Sequence, residues 1–126
     1  MAMGRKRKFD ERDVLDACAA VFVVCGYEGA SLDDLVKATS LLRGSLYSAY
    51  GSKRGMFLAA LKHVIQTDPK SDRAMDLILI ALLELAPRDA EIRQTVTQII
   101  GDADPYAEAE HLGTRLLARA GIAHVS

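Results

Sequence analysis

The sequence predicts an all-α protein of about seven helices. Between Pro, Gly and Asp/Asn/Ser punctuation, apolar residues recur at i, i+3, i+4 and i+7, the spacing of one helix face. The period-two alternation of a half-buried strand is missing from every segment. With 126 residues, 50% hydrophobic and 26% charged, the chain has the length and composition of a globular protein able to bury a core.

Asp10 caps the first helix, whose apolar stripe is Val14, Leu15, Cys18, Val21, Phe22 and Cys25 and which Gly26 stops. Cys18 and Cys25 share that face as two small core residues, too far apart along a helix for a disulfide. Ser31 caps the second helix, with Asp33 and Asp34 in the first turn, where the dipole favours acids. A break at residues 39–41 leads into a third short helix ending at Tyr50. Leu35, Val36, Leu41, Leu46 and Ala49 are the inward positions of this pair.

Ser52 caps the fourth helix, whose core face is Phe57, Leu58, Leu61, Val64 and Ile65. Residues 72–85 are helical and apolar nearly all round from Leu77, which predicts burial on several sides. Ala86-Pro87 breaks that helix. The next runs from Arg88 to Ile100 with Ile92, Val96, Ile99 and Ile100 on one face. Pro105 opens the last helix, whose stripe is Tyr106, Ala109, Leu112, Leu116, Leu117 and Ala120, and Gly121 closes it.

The net charge of −1 hides an asymmetry. Residues 1–66 hold ten Lys/Arg against seven Asp/Glu, and residues 67–126 hold six against ten. A basic first half suits phosphate and an acidic second half avoids it, which suggests two tasks. The expected division is a helix-turn-helix domain over 1–66, including a basic arm and the fourth helix, and a helical dimerisation or effector region over 67–126.

The chemistry lies in residues 31–55. Two short helices joined by a tight turn present the second one outward, in a form that fits the DNA major groove. Its outward face reads Arg43, Gly44, Ser45, Tyr47 and Ser48. Arg43 can reach guanine O6 and N7 bidentately, and Ser45 can bond either base type. Gly44 lets the backbone approach base edges, while Tyr47 and Ser48 suit phosphate oxygens. Lys53 and Arg54 occupy the first turn of the fourth helix, where cations oppose the dipole. A phosphate at that N-terminus would account for them. The basic arm of Arg5, Lys6, Arg7 and Lys8 can reach the minor groove or neighbouring phosphates.

Residues 14–61 resemble the N-terminal domain of the tetracycline-repressor (TetR) family of bacterial regulators. The resemblance rests on Val-Leu-Asp-Ala-Cys-Ala-Ala-Val-Phe (14–22), on Gly-Tyr-Glu-Gly-Ala-Ser-Leu-Asp-Asp-Leu-Val (26–36), and above all on Arg-Gly-Ser-Leu-Tyr-Ser-Ala-Tyr-Gly-Ser-Lys-Arg-Gly-Met-Phe (43–57). It implies a recognition helix over 42–50, base contacts at Leu42, Arg43, Gly44 and Ser45, and phosphate contacts at Ser31, Tyr47, Ser48 and Lys53. It further implies a repressor that binds a palindromic operator as a homodimer and is released by a small-molecule effector. Three features depart from the pattern. Ser40 stands where the family favours Gly in the turn, Leu42 stands where it favours a Ser or Thr cap, and the C-terminal region is shortened. The altered turn and cap leave open an alternative: a weak DNA binder that takes up an effector or partner and acts through mixed dimers.

Other classes are disfavoured. His63, His111 and His124 are scattered, with no metal-ligand spacing and no nucleophile–base signature. No enzyme activity, no catalytic residue, no metal and no cofactor is therefore expected. No apolar run approaches the ~20 residues that span a bilayer, so no membrane partner is expected. Asp10, Glu11 and Asp13 follow the basic start without an apolar stretch, so the expected compartment is the cytoplasm. The apolar later helices predict a homodimer formed through the last two.

Overall fold

The computed structural model describes residues 10–101 and 105–122, which form seven α-helices and no strand. They are α1 (Glu11–Gly29), α2 (Leu32–Thr39), α3 (Arg43–Tyr50), α4 (Lys53–Thr67), α5 (Asp72–Ile80), α6 (Ala90–Ile100) and α7 (Pro105–Arg119). After α5 the chain continues through a π-helical turn, Ala81–Leu85, and a 3₁₀ turn, Ala86–Arg88. No helix among the described residues is long and apolar enough to cross a membrane.

Side chains that start the helices do so by accepting the free N–H groups of the first turn. Asp10 accepts from Arg12 N at 2.9 Å, Ser52 from Gly55 N at 2.9 Å, Ser71 from Ala74 N at 3.0 Å and Asp89 from Ile92 N at 3.1 Å. Ser31 and Asp34 form a reciprocal capping box, with bonds of 3.0 and 2.9 Å.

Helix α1 does not stop at Gly26 but kinks there. Gly26 adopts φ 75° and ψ 179°, and one further turn runs to Gly29. The kink frees the N–H groups of Tyr27 and Glu28, and Glu84 on the π turn accepts both, at 3.3 and 2.8 Å. The backbone requires glycine here, and a side chain would also push the Glu84 carboxylate off its two N–H partners. The φ of Gly26 is positive, and a Cβ would lie 2.8 Å from the Glu84 carboxylate.

Helix α1 is the hub, packed against α2, α4 and α5. Phe22 meets Phe57 edge to face at 5.2 Å between ring centroids, and Tyr27 meets Phe57 at 5.6 Å. Met56 and Ala60 join the expected Phe57, Leu61 and Val64 on the buried face of α4, while Leu58 and Ile65 are partly buried. The apolar run is buried on several sides from Leu77 to Ala81, as its composition predicts, but Leu83 on the π turn is 60% exposed. The buried residues form one cluster from Val14 to Leu112, so the stretches before and after residue 66 share a core.

Two expected core positions are corrected. Cys18 is buried but Cys25 is exposed. On the side of α1 that faces α2, Cys25 lines a surface groove with Val21 and Val24. Ala49 is exposed, and Tyr50 is packed inward in its place. The inward line of α3 runs from Leu46 to Tyr50, four residues on, and a hydroxyl bond from Tyr50 to Glu11 at 3.4 Å ties it to α1.

Helix α7 is joined to α5 by charge. Asp76, its side chain 3% exposed, accepts from Arg115 Nε at 2.8 Å and Nη2 at 3.1 Å, with Arg119 at 3.4 Å. Of the expected α7 stripe, Leu112 is buried, whereas Leu116 and Leu117 are 41% and 47% exposed.

Candidate nucleic-acid interface

Helices α2 and α3 form the helix-turn-helix. Leu35 and Leu46 are fully buried and hold the pair together, with Val36 and Leu41 half-buried beside them. Two features make the turn without glycine. Ser40 takes the left-handed conformation (φ 61°, ψ 18°), and its N–H donates to Val36 O at 2.9 Å. The Thr39 hydroxyl donates to Leu35 O at 2.8 Å and accepts from Leu41 N at 3.2 Å. Thr39 is a turn-stabilising residue that periodicity could not single out, although Ser/Thr hydroxyls commonly bond locally near turns.

Leu42 stands at the N-cap of α3 without a side-chain bond and is 77% exposed. Arg43, Gly44, Ser45, Tyr47 and Ser48 are also exposed, so the structure gathers every residue expected on α3 onto one accessible face. Nothing lies within 4 Å of the position a Cβ would take on Gly44. The glycine is therefore not required by the protein's own packing. Arg43 forms an ion pair with Asp33 of α2. Ser31 is exposed at the start of α2, its hydroxyl engaged in the capping box.

The two cations at the start of α4 are held elsewhere. Lys53 Nζ donates to Tyr27 O at 2.9 Å and Ala30 O at 3.0 Å and lies 4.6 Å above the Tyr27 ring. It satisfies carbonyls at the end of α1, where a cation is favoured. Arg54 turns to the start of α6, bonding Asp89 at 2.6 and 3.0 Å and Glu91 at 2.6 Å. The cost of cations at the N-terminus of α4 is offset by these neighbours, which local sequence does not reveal. Residues 5–8, the basic arm, lie outside the described residues.

The Arg54 guanidinium, with the Ile92 N–H second, holds the Asp89 carboxyl down from 3.8 to about 2. A depressed carboxyl contributes stability above its unfolded value that is lost as pH falls through its folded value. Asp89→Asn, which can keep the cap but not the charge, is therefore expected to unfold at lower urea than the parent above pH 3.8. The two urea midpoints should converge as pH falls to about 2. A constant gap across that window would remove the ion pair as the cause. Burial pushes the Cys18 thiol up to about 11, which leaves it protonated and unreactive at neutral pH.

Among the described residues, no group of three His, Cys, Asp or Glu side chains could hold a metal ion. The geometry is that of an exposed short helix anchored to the core through Leu46.

Comparison with known proteins agrees. Residues 14–60 match the family model described as bacterial regulatory proteins, tetR family. The chain is 45% identical over 64 residues to an uncharacterized HTH-type transcriptional regulator, YezE, of Bacillus subtilis, covering 51% of this chain and 33% of that protein. It is 40% identical over 62 residues to the HTH-type transcriptional repressor ComR of Escherichia coli, covering 49% and 30%. The HTH-type transcriptional repressor BdcR of Escherichia coli is 27% identical over 92 residues, covering 68% and 47%. The matched stretch thus spans about a third of the length of YezE and ComR. Residues 14–60, which run from α1 into α4, are thus similar to the tetR family of bacterial regulatory proteins.

Proposed function

We propose that this protein is a sequence-specific DNA-binding transcriptional regulator, a repressor that binds a palindromic operator as a homodimer in the cytoplasm. The observation that carries the reading is the α3 face. It combines an apolar residue, a fork donor, a bare backbone position and three hydroxyls, all exposed, on a helix whose other side is locked to the core. In this reading Leu42, Arg43, Gly44 and Ser45 meet base edges, and Ser31, Tyr47 and Ser48 meet phosphates. Lys53 gives two of its three donors to α1 and contacts phosphate with the third. Arg54 contributes by fixing α4 against α6. The names of the similar proteins, a transcriptional regulator and two repressors, support the same role.

The dimer is supported by the exposed Leu116, Leu117 and Ile122 at the far end of the chain from α3. A groove of about 650 Å³ between α5 and α7, lined by Met75, His111 and Arg115 among others, is the place where an effector would enter.

Selection of binding sites from random duplex DNA, with sedimentation of the same sample, tests the whole reading. A recovered palindrome and a dimeric mass are expected. Salt-sensitive binding without a motif would sink sequence-specific reading, and a monomer at micromolar concentration would sink the dimer. On the selected site, Arg43→Ala should cost about 1–3 kcal/mol and relax the preference at one base pair. Lys53→Ala should weaken binding on all duplexes and flatten the salt dependence. Equal losses from both variants on every duplex would refute this division of labour.

A further inference from the structure

The ion pair between Arg43 and Asp33 links the first turns of α2 and α3 through exposed side chains. The start of α2 is already capped, because Ser31 and Asp34 exchange two bonds there at 2.9 and 3.0 Å. Asp34 takes the backbone partner and Asp33 takes Arg43 instead. Arg43 is the first residue of α3, where a cation opposes the dipole and no acid of α3's own first turn offsets it. Both side chains are largely exposed, at 54% for Arg43 and 72% for Asp33, so the pair is weak and can be exchanged.

From this geometry we infer that Asp33 is a specificity-determining residue that acts through Arg43, an inference that rests on the DNA-binding reading of α3. In free protein Asp33 Oδ1 accepts from one arm of the guanidinium, Arg43 Nη2. A correctly placed guanine offers O6 and N7 as two acceptors in bidentate geometry and displaces the carboxylate. A phosphate on unrelated DNA fits the fork as well, but it brings a second anion beside the Asp33 carboxylate, whereas guanine is neutral. The carboxylate therefore suppresses binding to the wrong sequence more than binding to the right one. Specificity is a difference of affinities, and an element that penalises the competitor raises it as surely as one that favours the target.

The test uses the full chain, its selected duplex and an unrelated duplex of equal length, with affinities measured across a salt series. The variants are Asp33→Asn, Arg43→Ala and the double substitution. Asp33→Asn is expected to tighten the unrelated duplex about 5-fold, with a salt slope steeper by about one counterion, because Arg43 then engages a phosphate. The selected duplex should tighten less than about 2-fold, so discrimination falls. In the Arg43→Ala background the same substitution should leave discrimination unchanged. Equal tightening of both duplexes, or an undiminished effect without Arg43, would make Asp33 an ordinary surface charge and overturn the inference alone. A parent that binds no duplex would overturn the DNA-binding reading and this inference with it.

Discussion

Gly55→Ala is expected to destabilise the protein by about 3 kcal/mol or more and to abolish recognition of the selected duplex. Gly55 lies in the first turn of α4, where the chain passes directly beside the end of α3. A Cβ there would sit 2.0 Å from the Tyr50 carbonyl oxygen and 3.1 Å from its carbon. The obstacle is backbone, which cannot rotate away as a side chain tip would. Tyr50 is anchored on α1 through Glu11, and Gly55 N is bonded to Ser52 Oγ at 2.9 Å. Relief requires the end of α3 and the start of α4 to part, which tilts the reading face. Urea unfolding and binding measured below the variant's midpoint would check both parts. An unchanged midpoint would mean that the α3–α4 junction is not fixed by this contact.

Gly44 is the informative contrast. It is exposed near the start of α3 with open space around the missing Cβ. An alanine there should leave the fold intact or stabilise it by about 0.5 kcal/mol, since glycine is the poorer helix former. If the backbone at Gly44 approaches base edges, the same alanine weakens DNA binding. Loss of stability at residue 55 and loss of binding alone at residue 44 would separate the support of the site from its contact surface.

What the sequence made legible was local. Caps at Asp10, Ser31 and Ser52, the turn at residues 39–41 and the exposed face of α3 follow from nearby residues and a 3.6 period, and each stands where periodicity and capping place it. The shortfalls are long-range. Whether Ala49 or Tyr50 faces inward depends on the approach of α1, and whether Cys25 is covered depends on where α2 crosses. Gly26 reads as a stop, but Glu84, 57 positions beyond Tyr27, lets the helix kink and continue. Lys53 and Arg54 violate the dipole rule for α4 because their partners lie 23 to 37 residues away.

Asp76 was the least legible residue, a carboxylate in a nearly continuous apolar run, and it motivates the second large prediction. Its side chain is 3% exposed, whereas those of Arg115 and Arg119 are 29% and 26% exposed. The burden of desolvation is therefore unequal. Arg115→Ala strands a buried carboxylate with only the longer 3.4 Å contact to Arg119, and should cost about 2–3 kcal/mol, below the range for fully buried pairs because the arginine is part-solvated. Asp76→Ala instead releases arginines that can turn to water, and should cost less. Replacing both, as Asp76→Leu with Arg115→Met, removes the charge and fills the space, and should lie nearer the parent than Arg115→Ala does. Because the pair joins α7 to α5, and α7 carries Leu116 and Leu117, Arg115→Ala should also weaken the proposed dimer. Urea midpoints and sedimentation across a dilution series would read both effects. Arg115→Ala and Asp76→Ala with equal losses would show that packing, not the buried charge, holds α7 in place.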